Sequence, residues 1–261
     1  MSSNADPHAL RATFDAAAEL YDRARPVPPP QVFDDLVELA RLEPGARVVE
    51  IGCGTGQATL PLAERRLAIV GIELGTSLAD VARRRLSAFP DVEIVTSSFE
   101  DWDAGDQRFD AVVAFNSLHW VDPEVRFAKS AALLRDGGAL AAVGMRFVEH
   151  DAADPLWLSL REDYEAAGVA DPWPHIDAIR DRSAEFAETG HFEDVATRRY
   201  TWDVPFDAEG YIGLLQTVSW QRVLDEDARA QLFERIRRRL GDGRIAPTMA
   251  AVLYVARRQP A

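Results

Sequence analysis

Arg47-Val48-Val49-Glu50-Ile51-Gly52-Cys53-Gly54-Thr55-Gly56-Gln57 opens as a short apolar run with β-branched residues and closes on three glycines in five positions. A buried strand that turns sharply toward a ligand needs glycine there, because a Cβ would oppose both a positive φ and a close backbone approach. Ala58 to Arg65 follows with helical character, and then a second apolar run, Leu67-Ala68-Ile69-Val70-Gly71-Ile72, ends on Glu73. Strand, glycine turn, helix, strand and terminal acid make the nucleoside-binding half of a doubly wound sheet. The acid, about 20 residues past the turn, is placed to accept the two ribose hydroxyls.

The composition narrows the function. The chain has 261 residues, 47% of them apolar and 28% charged, which suits one large α/β domain with an elaboration. Its net charge of −14 disfavours nucleic acid as a partner, since a basic footprint is the expected sign there. Met1 to Ala9 lacks the pattern of a signal peptide, and no run approaches the roughly 18 apolar residues of a membrane span. Cys53 is the single cysteine, so a cytoplasmic setting is expected; a monomer or a homodimer is the expected assembly. His8, His150, His175 and His191 are scattered without metal-ligand spacing, so no metal is expected. Arg83-Arg84-Arg85 and Arg237-Arg238-Arg239 read as solvated helix faces.

Residues 7–23 carry Leu10, Phe14, Ala17, Leu20 and Tyr21 at helical spacing, which predicts an amphipathic helix broken by Arg25-Pro26-Val27-Pro28-Pro29-Pro30. A second helix places Val32, Phe33, Leu36, Val37 and Ala40 on one face. Beyond Glu73 the chain reads as a helix (77–88), a strand (92–95), a loop through Ser98-Phe99-Glu100-Asp101-Trp102 and a strand (109–115). Asn116 to Pro123, a helix to Leu134 and a strand from Ala139 to Met145 complete a β-α-β rhythm and hence a parallel sheet. After Phe147 the rhythm changes: residues 150–182 fit poorly as βα units and read as a cap. A short helix (184–189), a strand (195–204), helices over 207–217 and 225–240, and a last strand (248–256) follow.

These motifs resemble the class I S-adenosylmethionine-dependent methyltransferases. Val48 to Gly56 is similar to their first motif, and Glu73 occupies the position of their ribose-binding acid. Phe14…Tyr21…Arg25-Pro26, Phe99-Glu100-Asp101-Trp102 and Leu118-His119-Trp120-Val121-Asp122-Pro123 look like the branch that includes trans-aconitate methyltransferase. The resemblance implies a Rossmann-like, mostly parallel seven-stranded α/β sheet whose last strand is antiparallel. The expected organisation is a lid helix and proline segment (1–30), a cofactor-binding core (31–148), a cap insertion (149–192) and a C-terminal part completing sheet and cap (193–261). The implied cofactor is S-adenosylmethionine, with S-adenosylhomocysteine as product. The acceptor is a small molecule methylated on oxygen, nitrogen or a carboxylate.

Two other readings stay open. A nicotinamide-dependent oxidoreductase would use Gly-x-Gly-x-x-Gly to lay a pyrophosphate on a helix N-terminus, whereas this turn is Gly-x-Gly-x-Gly. A cofactor-binding protein without turnover would keep the same motifs. For methyl transfer, Gly52, Gly54 and Gly56 would line the methionine part, with Cys53 and Gln57 in the same turn. Glu50 would by resemblance reach the methionine ammonium. Glu73, with Leu74 beside it, would take the ribose, and Ser98, Phe99 and Glu100 the adenine. Asn116 would offer its backbone carbonyl to the ammonium, and Tyr21 and Arg25 would close over the ligand, Arg25 pairing a carboxylate. His119 is the candidate general base, because its pKa lies near working pH; otherwise it shapes the pocket wall. Each also has a plainer role: tight turn, strand end, core or helix packing.

Overall fold

A computed structural model describes residues 18–170, 172–218 and 224–260. Leu10, Phe14, Ala17 and Trp220 lie outside them. The glycine-ended run forms β1 (Arg47–Ile51), buried from its second residue onward. Around it stand β2 (Ala68–Glu73), β3 (Val92–Thr96), β4 (Phe109–Phe115), β5 (Leu134–Phe147), β6 (Phe192–Asp203) and β7 (Thr248–Arg258). They make one seven-stranded sheet in the order β3-β2-β1-β4-β5-β7-β6. The pairs among β1 to β5 are parallel, and β7 runs antiparallel to both β5 and β6. The doubly wound sheet with one antiparallel strand is therefore as expected.

Alternation along the strands sends side chains to two cores, since both faces are covered. Val49 and Ile51 pack on one side with Ile72, Val112 and Ala114. Val48 packs on the other with Ile69, Ala111 and Val113, beneath α2 (Pro30–Ala40). The order reverses at β1, between β2 and β4. That switch point is where open α/β sheets bind ligands, and the glycine turn leaves β1 directly into it.

Two strands differ from the sequence-based expectation at their starts. β5 begins at Leu134, because Asp136-Gly137-Gly138 forms an irregularity inside the strand: Phe109 pairs with Leu134, then Ala111 with Ala139. Gly137 has φ +72°, which glycine adopts without strain. β6 begins at Phe192 and carries a similar shift between Glu193 and Ala196, with Asp194 at φ +51°.

The remaining helices pack on the faces of the sheet and on one another. Ahead of the sheet stands α1 (Ala18–Ala24), and within the first units α3 (Thr59–Glu64), α4 (Thr76–Arg85) and α5 (Pro123–Leu133). The segment predicted as a cap folds into α6 (Pro155–Ser159) and α7 (Arg161–Ala166), followed by α8 (Ser183–Ala187). Past β6 come α9 (Ala208–Leu215) and α10 (Glu226–Leu240). A third apolar cluster joins Trp157, Tyr164 and Trp173 to Tyr211, Leu232 and Phe233, so the two late helices bury their apolar faces against the cap segment. The Tyr164 and Tyr211 hydroxyls meet at 3.0 Å, and Trp157 Nε1 donates to Tyr211 Oη at 3.3 Å, which satisfies polar atoms that burial would otherwise penalise.

Candidate active site: a cleft of two chambers at the switch point

The glycine turn takes backbone angles that glycine adopts without strain. Gly52, Gly54 and Gly56 all have positive φ, between +58° and +79°. A Cβ on Gly52 would stand 2.8 Å from Ser117 Cβ, and Ser117 Oγ donates to the Ile51 carbonyl. The turn from β1 is thus pressed against the turn from β4. Ser117 carries no motif of its own, and nothing in the sequence singled it out.

Two connected chambers open beside this turn. The smaller, about 290 Å³, is bounded by Glu73, Leu74, Ser98, Phe99 and Glu100, among others. The larger, about 630 Å³, runs from Glu50, Cys53 and Gln57 to Tyr164, Trp173 and Arg182. Tyr21, Arg25, Gly52, Gly54, Asn116 and His119 border both. Of the fifteen residues expected to form the site, only Gly56 borders neither chamber. Its Cβ would meet Leu86 Cδ1 at 3.0 Å and Ala82 at 3.4 Å, so its bareness lets the loop pack on α4.

Glu73 is buried at the end of β2, and its carboxylate braces the turn. Oε2 accepts from Gly54 N–H and Oε1 from Gly75 N–H, each at 2.8 Å. A carboxylate accepts at about four lone-pair positions, so bracing the loop and receiving hydroxyl donors are compatible.

Glu50 lies deeper, 1% exposed, and accepts from Thr59 Oγ1 at 2.6 Å. Burial pushes its pKa up to about 7, against the hydrogen bond from Thr59 and helped by the nearby Glu73 charge. Thr59 on α3 is the partner a buried acid requires, and its place in the sequence gave no sign of it. Cys53 offers backbone alone. Its thiol is buried against Gly71, whose Cβ would fall 3.0 Å from Sγ, and burial pushes the thiol pKa well up.

The other predicted residues hold loops as much as they line the cleft. Ser98 Oγ donates to Asp101 Oδ2 at 2.7 Å and accepts from Asp101 N–H at 3.0 Å, which commits the hydroxyl within its own turn. Glu100 Oε1 accepts from Asp122 N–H at 3.1 Å. Lys129, the one lysine of the chain, fastens this turn from α5 by donating to the Glu100 and Trp102 carbonyls, with its ammonium 5.3 Å from the Phe99 ring centre. Asn116 has φ +54°, a conformation asparagine tolerates better than most residues. Its Oδ1 accepts from Met145 N–H at 2.6 Å, so the side chain ties β4 to β5. His119 lies on a 3₁₀ turn (Leu118–Trp120), exposed, its ring centre 5.0 Å from that of Trp120.

Arg25 Nη2 donates to the Thr217 carbonyl at 2.6 Å, and its guanidinium lies 5.0 Å from the Tyr21 ring centre. Gln57 Nε2 donates to the Asp22 carbonyl at 2.7 Å, making it a tether from the glycine turn to α1. Arg146 was not foreseen; it borders the larger chamber from β5. No group of His, Cys, Asp and Glu among the described residues could hold a metal ion.

A seven-stranded sheet in this order, with a glycine turn and a strand-end acid at its switch point, is the Rossmann-like fold of the class I methyltransferases. Residues 48–138 match the family described as Methyltransferase domain. An uncharacterized methyltransferase of Mycobacterium tuberculosis is 34% identical over 134 residues, 51% of this chain and 52% of that protein. The trans-aconitate 2-methyltransferase of Variovorax paradoxus is 33% identical over 162 residues, 61% of this chain and 58% of that protein. The chain thus spans little more than half the length of these relatives. In three dimensions it is similar to the [4+2]-cyclase SpnF, with a TM-score of 0.58 and 17% identity, covering 98% of this chain and 97% of that one. That likeness concerns the fold; the structure is named for a cyclisation.

Proposed function

We propose that the protein transfers a methyl group from S-adenosylmethionine to a small-molecule acceptor, leaving S-adenosylhomocysteine. The observation that carries this reading is the junction of two chambers at Gly52, Gly54, Asn116 and His119. One chamber has the chemistry of a nucleoside site and the other has room for a second molecule.

The residues present fit the cofactor. Ile72, Leu74, Leu78 and Phe99 give the smaller chamber apolar walls for a base, and Glu73 gives it an acceptor for ribose hydroxyls. Glu73 and Glu100 on those walls would repel a pyrophosphate, which speaks against a dinucleotide. Glu50, braced by Thr59, would face the ammonium of the methionine part together with the Asn116 carbonyl. When bound, the cofactor supplies an activated methyl on a sulfonium sulfur. The chain's own contribution is to hold the acceptor in line and to keep water out. α1 and the cap helices provide that cover. His119, exposed to both chambers, is the group we assign to take a proton from an oxygen or nitrogen nucleophile.

No helix among the described residues is long and apolar enough to cross a membrane. A reducing cytoplasmic setting agrees with the single, buried thiol. The test is product-side: incubation with S-adenosylmethionine and a panel of small carboxylates, phenols and amines. Acceptor-dependent formation of S-adenosylhomocysteine supports the reading, and binding without turnover on any acceptor would leave a cofactor-binding protein in its place.

A further inference from the structure

We infer that the larger chamber receives an acceptor with a mainly apolar body and a single anionic group, anchored on Arg146. This inference deepens the methyl-transfer reading and rests on it. In a chain of net charge −14, this chamber is bordered by three arginines, Arg25, Arg146 and Arg182, against one acid, Glu50. Glu50 is 1% exposed and already accepts from Thr59. Arg25 and Arg182 are engaged, Arg182 at both oxygens of its carboxylate partner and Arg25 through one nitrogen, its buried Nε having no hydrogen-bond partner among the described residues. Arg25 donates to the Thr217 carbonyl, and Arg182 holds Glu185 with two hydrogen bonds of 2.6 and 2.7 Å.

Arg146 makes no hydrogen bond or ion pair with any described residue. Arg146 is exposed at the border of this half-open chamber, and a planar guanidinium there suits a carboxylate bidentately. Its neighbour Met145 borders both chambers, with its N–H held by Asn116, so the anchor lies one residue from the junction.

The rest of the wall decides the body of the ligand. Phe147, Trp173, Leu214, Leu215 and Met249 are apolar, and about 630 Å³ accommodates an organic molecule of considerable size. A second or third carboxylate would lie against these side chains without a partner, which is costly. A small polyanion is therefore a poor fit.

The test uses the full chain saturated with S-adenosylhomocysteine and titrated with trans-cinnamate, cinnamamide and citrate. The acid should bind about 10-fold or more tighter than its neutral amide, the scale of one charge-assisted hydrogen bond, and tighter than citrate. Arg146→Gln should remove that difference without changing the affinity for the amide, and Arg146→Lys should restore part of it. Equal binding of acid and amide, preference for citrate, an unchanged Arg146→Gln variant, or no binding of any of the three would each overturn the inference. Titration of S-adenosylhomocysteine alone reads the parent proposal separately. If it fails to bind while the acid still binds through Arg146, methyl transfer is wrong and the anion anchor stands.

Discussion

Replacing Glu73 with alanine removes an acceptor to which Gly54 and Gly75 both donate, so two effects should appear together. Cofactor affinity should fall roughly 10- to 100-fold, about 1.4–3 kcal/mol. Stability should also fall, by about 1–3 kcal/mol, because two backbone donors lose their partner in a buried turn. Glu73→Gln keeps one acceptor oxygen and should lose less of each; calorimetry beside chemical denaturation separates the terms. Glu50 gives a pH signature of the opposite kind from most carboxylates. Its folded pKa, about 7, lies above the ordinary value of 4.5, so between those values the native state holds a proton that the unfolded chain gives up. Stability from this group is full below pH 4.5, falls as pH rises through the interval and is gone above 7, a loss on the order of a few kcal/mol. Denaturation at pH 5 and pH 8 should show a larger drop for the wild type than for Glu50→Gln, which cannot titrate. Equal drops would mean that Glu50 is ionised throughout.

The first described helix is short, and its hold on the molecule combines a small apolar contact, Ala18 and Tyr21 against Leu78 and Val81, with charged and polar ties. Arg85 pairs with Asp22 at 2.7 Å and Arg84 with Glu19 at 2.9 Å, both from α4, while Gln57 and Arg25 fasten its C-terminal end. Arg84–Glu19 is exposed and contributes little; the half-buried Arg85–Asp22 pair matters more. Such an element opens at modest cost and closes on a ligand. Amide exchange over residues 18–25 should therefore slow when S-adenosylhomocysteine binds, and Arg85→Ala should speed it in the free protein while leaving the sheet amides unchanged. Equally slow exchange in both states would make α1 fixed packing and not a cover. Part of this was legible: the proline run after Arg25 announces a hinge-like break, and Tyr21 and Arg25 do border both chambers. What the helix is tied to was not, because its partners come from α4, the glycine turn and the end of α9, far apart in the chain.

Across the whole molecule, legibility divides along the sheet. β1, the glycine turn and Glu73 could be read because each answers a local demand: burial on both faces, positive φ, an acid at a strand's carboxyl end. Gly56 shares that signature yet packs on Ala82 and Leu86, since the same positive φ serves a ligand turn and a tight helix contact alike. The larger chamber could not be read, because Pro26 to Pro28, Arg146, Trp173, Leu214 and Met249 reach it from five separate stretches. No periodicity records such a meeting, and its arginine anchor became visible only with its neighbours in place. The central claim is that the switch-point cleft is built for S-adenosylmethionine chemistry. Calorimetric titration of the full chain with S-adenosylhomocysteine and, separately, with NAD tests it most directly. The account predicts micromolar-range binding of S-adenosylhomocysteine, weakened by Glu73→Ala, and no measurable heat from NAD; tight NAD binding with no response to S-adenosylhomocysteine would contradict it.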